Sequence, residues 1–375
     1  MASEAHSSLS SKHVSDSHIY NDVARRPPPL IGSTPASRMF ESVAIVKPDH
    51  VGDLVLAAPA INRLAELSPN PVLFVSSTNV WLAQYLFPYI PVRALDFPHL
   101  AKGIGVGALS PGMVRTTFAP FRTIFVLRVD AALNRPALRT ANRPIFMTVG
   151  RPDVHEVRSH AECLYGVIGH YDSDSYWPGR LSAWPSQIDR VALVVGAGFP
   201  SNRWAAWNWA RLARLLHRHG CSVLLVGGPS EGDFVAMTAK IANLVSLQTF
   251  IGTAENISEM LRRLSECDVA IATDGGSGHL ASLACPVLSL FTSSPYRRFA
   301  PFGRENRLIT LELECSPCMN ADDRQVNLCL THECSFGILP ETVMEALHAA
   351  TLPPGTSRQL TSPFGAKVIF GVSHA

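Results

Sequence analysis

No uncharged apolar run in the 375 residues reaches the eighteen or so needed to cross a bilayer. The stretch from Met1 to Phe40 lacks the apolar segment that a secretory signal requires. Charge of one sign is scarce too: 32 Lys and Arg face 30 Asp and Glu, a formal net charge of +2. So even a balance gives no field strong enough for duplex nucleic acid as a main partner. The G-x-G-x-x-G dinucleotide fingerprint is missing, and no Asp-x-Asp pair stands near an expected strand end. What is present in quantity is apolar: 47% of residues are hydrophobic, a globular share that excludes wholesale disorder. The chain is expected in the cytosol, where its eight cysteines read as thiols or metal ligands rather than as a disulfide framework.

Length favours about two domains. Residues 1–40 read as a disordered tail, with nine Ser and a Pro27-Pro28-Pro29 run. Val43 to Val46 is a short β-branched run, expected as a buried strand. A turn-rich loop, Lys47 to Asp53, leads into a helix expected over Leu54 to Leu67, and Val72 to Val75 is the next strand. Further strands are expected at Thr123 to Leu127 and Ile145 to Val149, with a helix from Ser159 to His170. Asp172 to Pro185, rich in Trp, Pro, Gly and Ser, reads as an interdomain linker. The pattern then restarts: strand Arg190 to Val195, helix Trp207 to His219 closed by Gly220, strand Ser222 to Val226, helix Phe234 to Ala242 and strand Val245 to Phe250. A helix at Ile257 to Ser265 and strands at Val269 to Ala272 and Pro286 to Phe291 complete it. The expected organisation is α/β: an N-terminal unit over 41–180, a second over 186–350, both doubly wound and facing across a cleft, then a tail over 351–375.

Ligands of open α/β sheets gather at the carboxyl ends of strands. Gly196-Ala197-Gly198 leaves backbone free to approach a phosphate, although taken alone it reads more simply as a tight packing turn. Glu231, after Gly227-Gly228-Pro229, reads either as a partner for ribose hydroxyls or as a carboxylate complementing a helix dipole. Asp274-Gly275-Gly276-Ser277-Gly278-His279 puts a carboxylate, bare backbone and an imidazole at one helix start, which an N-cap alone does not require. In the first half, Gly52-Asp53 offers either a helix N-cap or a general base facing the cleft. Trp204, Trp207 and Trp209 read as core packing.

These four loops, in this order and spacing, resemble the family 9 glycosyltransferases, the ADP-heptose:lipopolysaccharide heptosyltransferases. The resemblance runs from about Val43 to Leu347 and is carried by Val43 to Asp53 with Pro59, by Gly196 to Trp209, by Gly227 to Glu231, and by Asp274 to His279 with Pro286. It implies the GT-B fold of two Rossmann-like domains. It implies a catalytic base at Asp53, a basic position at Lys47 beside Gly52 on the acceptor side, and donor binding at Gly196, Ala197, Gly198, Glu231, Asp274, Gly275, Gly276 and His279. Two departures touch the donor site. Asn202 stands where the family has a Lys that meets the donor phosphates, with Arg203 beside it, and Gly275 replaces a Thr. The partners implied are ADP-heptose or another nucleotide sugar, an anionic lipopolysaccharide core or another glycan acceptor, and the inner membrane surface. The reaction implied is inverting and needs no metal or other cofactor; the alternatives are transfer from another nucleotide sugar to a different glycan or metabolite, and a non-catalytic sugar-nucleotide-binding protein of the same fold.

Two clusters remain. Seven Arg between Arg122 and Arg158 face three acidic residues and read as a solvated surface or as a site for acceptor phosphates. Cys315, Cys318, Cys329 and Cys334 have the spacing of a four-thiolate knuckle, which leaves a structural zinc or iron and a set of reduced thiols both open. Cys163, Cys221, Cys267 and Cys285 sit in apolar settings and read as core.

Overall fold

The computed structural model describes residues 38–96, 111–128, 143–151, 153–198, 200–303, 305–311, 313–318, 329 and 331–371. The first half runs β1 (Val43–Lys47), α1 (Val51–Leu56), α2 (Ala58–Leu67), β2 (Pro71–Val75), α3 (Val80–Leu86), β3 (Val92–Ala94), α4 (Pro111–Phe118), β4 (Thr123–Val126), β5 (Ile145–Met147) and α5 (Glu156–Ile168). Its strands are all parallel, in the order β3-β2-β1-β4-β5. The second half runs β6 (Arg190–Val194), α6 (Ala206–Arg218), β7 (Ser222–Gly227), α7 (Gly232–Ala242), β8 (Gln248–Ile251), α8 (Ile257–Ser265), β9 (Val269–Thr273), α9 (Gly276–Ala281), β10 (Val287–Leu290), α10 (Tyr296–Phe299), β11 (Arg307–Leu311), α11 (Glu333–Phe336), α12 (Pro340–His348), β12 (Thr356–Gln359) and β13 (Ala366–Phe370). Here the order is β12-β13-β11-β10-β9-β6-β7-β8. Both sheets are doubly wound, as expected.

Burial on both faces makes these strands continuous apolar runs. In β1, Val43 and Ile45 face α1 and α2, while Ala44 and Val46 join Phe74, Phe118 and Phe121 on the other side. In β6, Val191 and Leu193 face Trp204, Trp209 and Leu212, and Ala192 and Val194 face inward. The inward cluster is continuous from the first sheet, through α1, α2, α8 and α9, to the second. Each Val, Leu or Ile buried there contributes about 1.5–3 kcal/mol. α8 follows the same logic: Ile257, Met260, Leu261 and Leu264 are buried, while Glu259 takes Arg262 and Arg263 on the outer face.

Several expectations need correction. The single helix over Leu54 to Leu67 is two, starting at Val51 and dividing at Ala57. Pro59 has no N–H for the carbonyl of Val55, so it sits in the first turn of a new helix instead. The strand expected from Val245 starts at Gln248, and Val245 is fully exposed. Within the expected tail at 1–40, residues 1–37 lie outside the description, but Phe40 is buried and stacks on Phe125. The C-terminal tail expected at 351–375 is also wrong over most of its length. β12 and β13 form an antiparallel hairpin on β11, because Ala366, Val368 and Phe370 complete the core behind the second sheet. Arg307 fastens this addition. Its guanidinium lies 3.8 Å from the Trp184 ring centroid and donates to the Ala346 and Ala349 carbonyls that end α12.

Candidate active site at the two switch points

β1 lies between β2 and β4, and β6 between β7 and β9, so each sheet reverses its winding at its first strand. The loops leaving these strands are where a doubly wound sheet opens a ligand crevice.

In the second half, three loops converge on Gly196. Its carbonyl accepts hydrogen bonds from Thr273 Oγ1 at 2.9 Å and Ser277 Oγ at 3.0 Å. A Cβ on Gly196 would lie 3.2 Å from Ser277 Oγ and 3.6 Å from the Glu231 carboxyl carbon. Gly196, Glu231 and the start of α9 are thus brought together, with Ala197 buried and Gly198 exposed at the turn. Glu231 ends a short 3₁₀ turn and accepts from Ser230 Oγ at 3.0 Å. Ser277 was not singled out by sequence reasoning, although it supplies a hydroxyl on the same loop where Gly275 lacks one.

Asp274 does not cap α9, whose N-cap is Gly275. It is buried and bonded by Asn202, whose amide donates to the Asp274 backbone oxygen and Oδ2, both at 3.2 Å. Asn202 Oδ1 in turn accepts from Thr292 and Ser293. Asn202 is therefore an internal tie, while Arg203 beside it is exposed. Burial pushes the Asp274 carboxyl up to about 6, with the Ser294 hydrogen bond working the other way and the Asp53 charge adding to the rise. A Lys at 202 could not accept from Thr292 or Ser293. Asn202→Lys should therefore lower stability by about 1–3 kcal/mol while leaving ADP affinity equal or higher. Melting curves with and without ADP check this, and an unchanged apo melting temperature would contradict it.

In the first half, Asp53 is the third residue of α1 rather than its N-cap, a place held by His50. It is half-buried, with His50 Nδ1 3.5 Å from Oδ2. Burial works against its charge, but the His50 hydrogen bond and the Lys47 charge hold the carboxyl well below the usual range. Lys47 is buried, with Nζ 2.8 Å from Asp49 Oδ2, and Arg128 reaches the other Asp49 oxygen at 2.6 Å.

α1 and α9 meet directly across the cleft. A Cβ on Gly52 would fall 2.6 Å from His279 Cδ2, and one on Gly276 would fall 3.1 Å from Val51 Cβ. His279 is buried, and burial pushes its imidazole down to about 4 against the pull of Asp53. It is neutral at physiological pH.

His155 contributes a testable pH dependence. Nδ1 accepts from the Val157 N–H at 3.3 Å, and Nε2 donates to the Ala300 carbonyl at 2.8 Å. Burial pushes its pKa down to about 4, although the Ala300 bond raises it. The folded state therefore holds it neutral where the unfolded chain protonates it. Its stabilising effect is complete above pH 6.5 and is lost as pH falls toward 4. The parent should lose up to about 3 kcal/mol more than His155→Gln across that window. Parallel pH–melting curves would reject this.

Of the seven arginines, Arg135 and Arg139 lie outside the described residues. Arg128 is buried on Asp49, Arg122 pairs with Glu41, Arg151 and Arg158 share Glu162, and Arg143 donates to the Phe121 carbonyl. The four cysteines share a neighbourhood: burial pushes the Cys334 thiol up to about 11, with Cys318, Cys329 and Cys315 adding to the rise. Among the described residues, no three His, Cys, Asp or Glu side chains are grouped to hold a metal ion. Trp204 and Trp209 pack edge to face in the core, but Trp207 is exposed, contrary to expectation. Cys221, Cys267 and Cys285 are buried and Cys163 is partly so. No helix among the described residues is long and apolar enough to cross a membrane.

Residues 180–328, which contain all the second-half loops, match the family model of glycosyltransferase family 9 (heptosyltransferase). The chain is similar to family 9 glycosyltransferases. Lipopolysaccharide heptosyltransferase 2 of Salmonella typhimurium is 23% identical over 359 residues, covering 82% of this chain and 97% of that protein. The family 9 glycosyltransferase structure from Veillonella parvula superposes with a TM-score of 0.58 at 16% identity, over 82% of this chain and 96% of the other. E. coli ADP-heptose lipopolysaccharide heptosyltransferase II gives a TM-score of 0.53 at 16% identity, over 82% and 98%. The family 9 likeness extends over both sheets, so the two-sheet fold is that of these enzymes.

Proposed function

We propose that this glycosyltransferase moves heptose from ADP-heptose to an anionic lipopolysaccharide core acceptor at the cytoplasmic face of the inner membrane. The observation that carries the reading is the meeting of Gly196, Glu231 and Ser277 at one switch point, with Gly52-Asp53 packed opposite. The bare Gly196 backbone takes the diphosphate side of the nucleotide, and Glu231 takes ribose hydroxyls. The acceptor hydroxyl attacks the anomeric carbon from the face opposite the nucleotide. Its proton goes to an Asp53 carboxylate oxygen, the bond from the anomeric carbon to the phosphate oxygen breaks, and ADP leaves with that electron pair. The configuration inverts. Asp53 is a weak base while ionised, which suits a transition state of oxocarbenium character: the attacking hydroxyl becomes acidic only as its bond to carbon forms. Charge on the departing diphosphate falls to neighbouring backbone N–H groups and the exposed Arg203. Neutral His279 adds no cation there. It holds the two halves in contact.

A second reading, transfer from another nucleotide sugar, is favoured by one observation: Asn202 is tied to Asp274, so that position sends no cation toward a diphosphate. Thermal shift against ADP-, UDP- and GDP-sugars separates the two. A shift with ADP-heptose is expected, whereas a shift with a UDP- or GDP-sugar alone would overturn the donor assignment.

A further inference from the structure

The segment from the end of β10 through α10 touches both halves of the molecule. At one end, Thr292 and Ser293 donate to Asn202, which bonds Asp274 on the donor side. At the other, Arg298 Nε donates to Glu156 Oε1 at 2.5 Å, and the Ala300 carbonyl accepts from His155. His155 and Glu156 belong to the first half, at the start of α5. Glu156 is 2% exposed, and Lys47 and Asp53 lie within its electrostatic reach. A buried carboxylate held by one guanidinium from the other half is costly unless that contact persists. The two ends of one short segment therefore report the donor motif to the half that carries Asp53.

We propose that Glu156 and Arg298 form a latch that sets the 292–300 segment, and with it the donor motif, against the half bearing Asp53. Both are positioning residues that govern the transfer step and not nucleotide affinity. This rests on the proposed transferase reading for its kinetic part only. The latch itself is a contact between halves and is measurable without any substrate. Donor and base must align to within a fraction of an ångström at the moment of attack, and misplacement on the order of 1 Å costs about 10²-fold in rate.

The test is a cycle of Glu156→Gln, Arg298→Gln and the double variant, with Arg298→Lys as the conservative control. Amide hydrogen exchange over 292–300, ADP affinity by calorimetry, and kcat and KM for the donor are read on each. Either single variant should speed exchange in 292–300 and lower kcat about tenfold or more, with ADP affinity changed by less than about twofold. The double variant should be no slower than the slower single variant, and Arg298→Lys should recover part of the loss. Unchanged exchange over 292–300 in both single variants would overturn the latch, and so would kcat losses that multiply in the double. A parent that binds no ADP and turns over no nucleotide sugar would sink the transferase reading. The exchange result would still decide the latch.

Discussion

Asp53→Asn is expected to lower the transfer rate by roughly 10²–10⁴-fold, the usual range for losing a general base. The substitution keeps the size of the side chain and its place in the first turn of α1; the charge disappears, and with it the capacity to take a proton. Its structural cost is the loss of a charge that Lys47 and His50 favour in the folded state. A carboxylate in the first turn of a helix contributes about 0.3–1 kcal/mol through the helix dipole, and Asp53 makes no N-cap bond that could be lost. The His50 contact at 3.5 Å is half-exposed and adds little. Rate and melting temperature measured on the same preparation separate the roles. A near-parent rate with a clearly lowered melting temperature would make Asp53 a structural residue, and the base would have to be sought elsewhere.

Gly52→Ala should be nearly as damaging, although it adds one methyl group and removes nothing. The new Cβ would lie 2.6 Å from His279 Cδ2 and 3.4 Å from the Gly276 Cα. His279 is buried and cannot swing into solvent, and Gly276 is backbone, so α1 and α9 must separate. Relief of such a contact needs movement on the order of 1 Å, which at a reacting centre costs about 10²-fold. The new Cβ meets His279 and Gly276 first, not Gly196, Ser277 or Glu231, so ADP binding should survive. His279→Ala in the same chain removes the obstructing ring and should restore part of the rate. If Gly52→Ala transferred sugar as fast as the parent, the close contact between the helices would have no bearing on catalysis.

The sequence was most legible where local chemistry and tertiary environment agree. β1, β6 and β9 are buried on both faces, so their apolar runs could hardly be read as anything else. α8 fell where its amphipathic period placed it, and Gly220 takes the positive φ expected after α6. Legibility failed where the decisive partner is distant in the chain. Asn202 reads as an absent cation in sequence, yet its partners are Asp274, Thr292 and Ser293, which only the folded sheet brings beside it. His50 and Glu156 were passed over because their significance lies in what packs against them. β13 lies beyond the stretch that resembles the family, although Ala366-Lys367-Val368-Ile369-Phe370 has the composition of a strand. Trp207 was grouped with its neighbours by type, but on α6 it faces away from Trp204 and Trp209 and into solvent.

The central claim divides the labour: nucleotide on the second-half loops around Gly196, proton transfer on Asp53 of the first half. Calorimetric titration of ADP into the parent, Asp53→Asn and Gly196→Val tests it directly. A valine at 196 would push into Ser277 Oγ at 3.2 Å and toward Glu231, closing the place assigned to the diphosphate. Parent and Asp53→Asn are predicted to bind ADP with affinities within about twofold of each other, and Gly196→Val to bind at least about tenfold more weakly, a difference of about 1.4 kcal/mol or more. Undiminished ADP binding by Gly196→Val, or an equal loss in Asp53→Asn, would contradict the account.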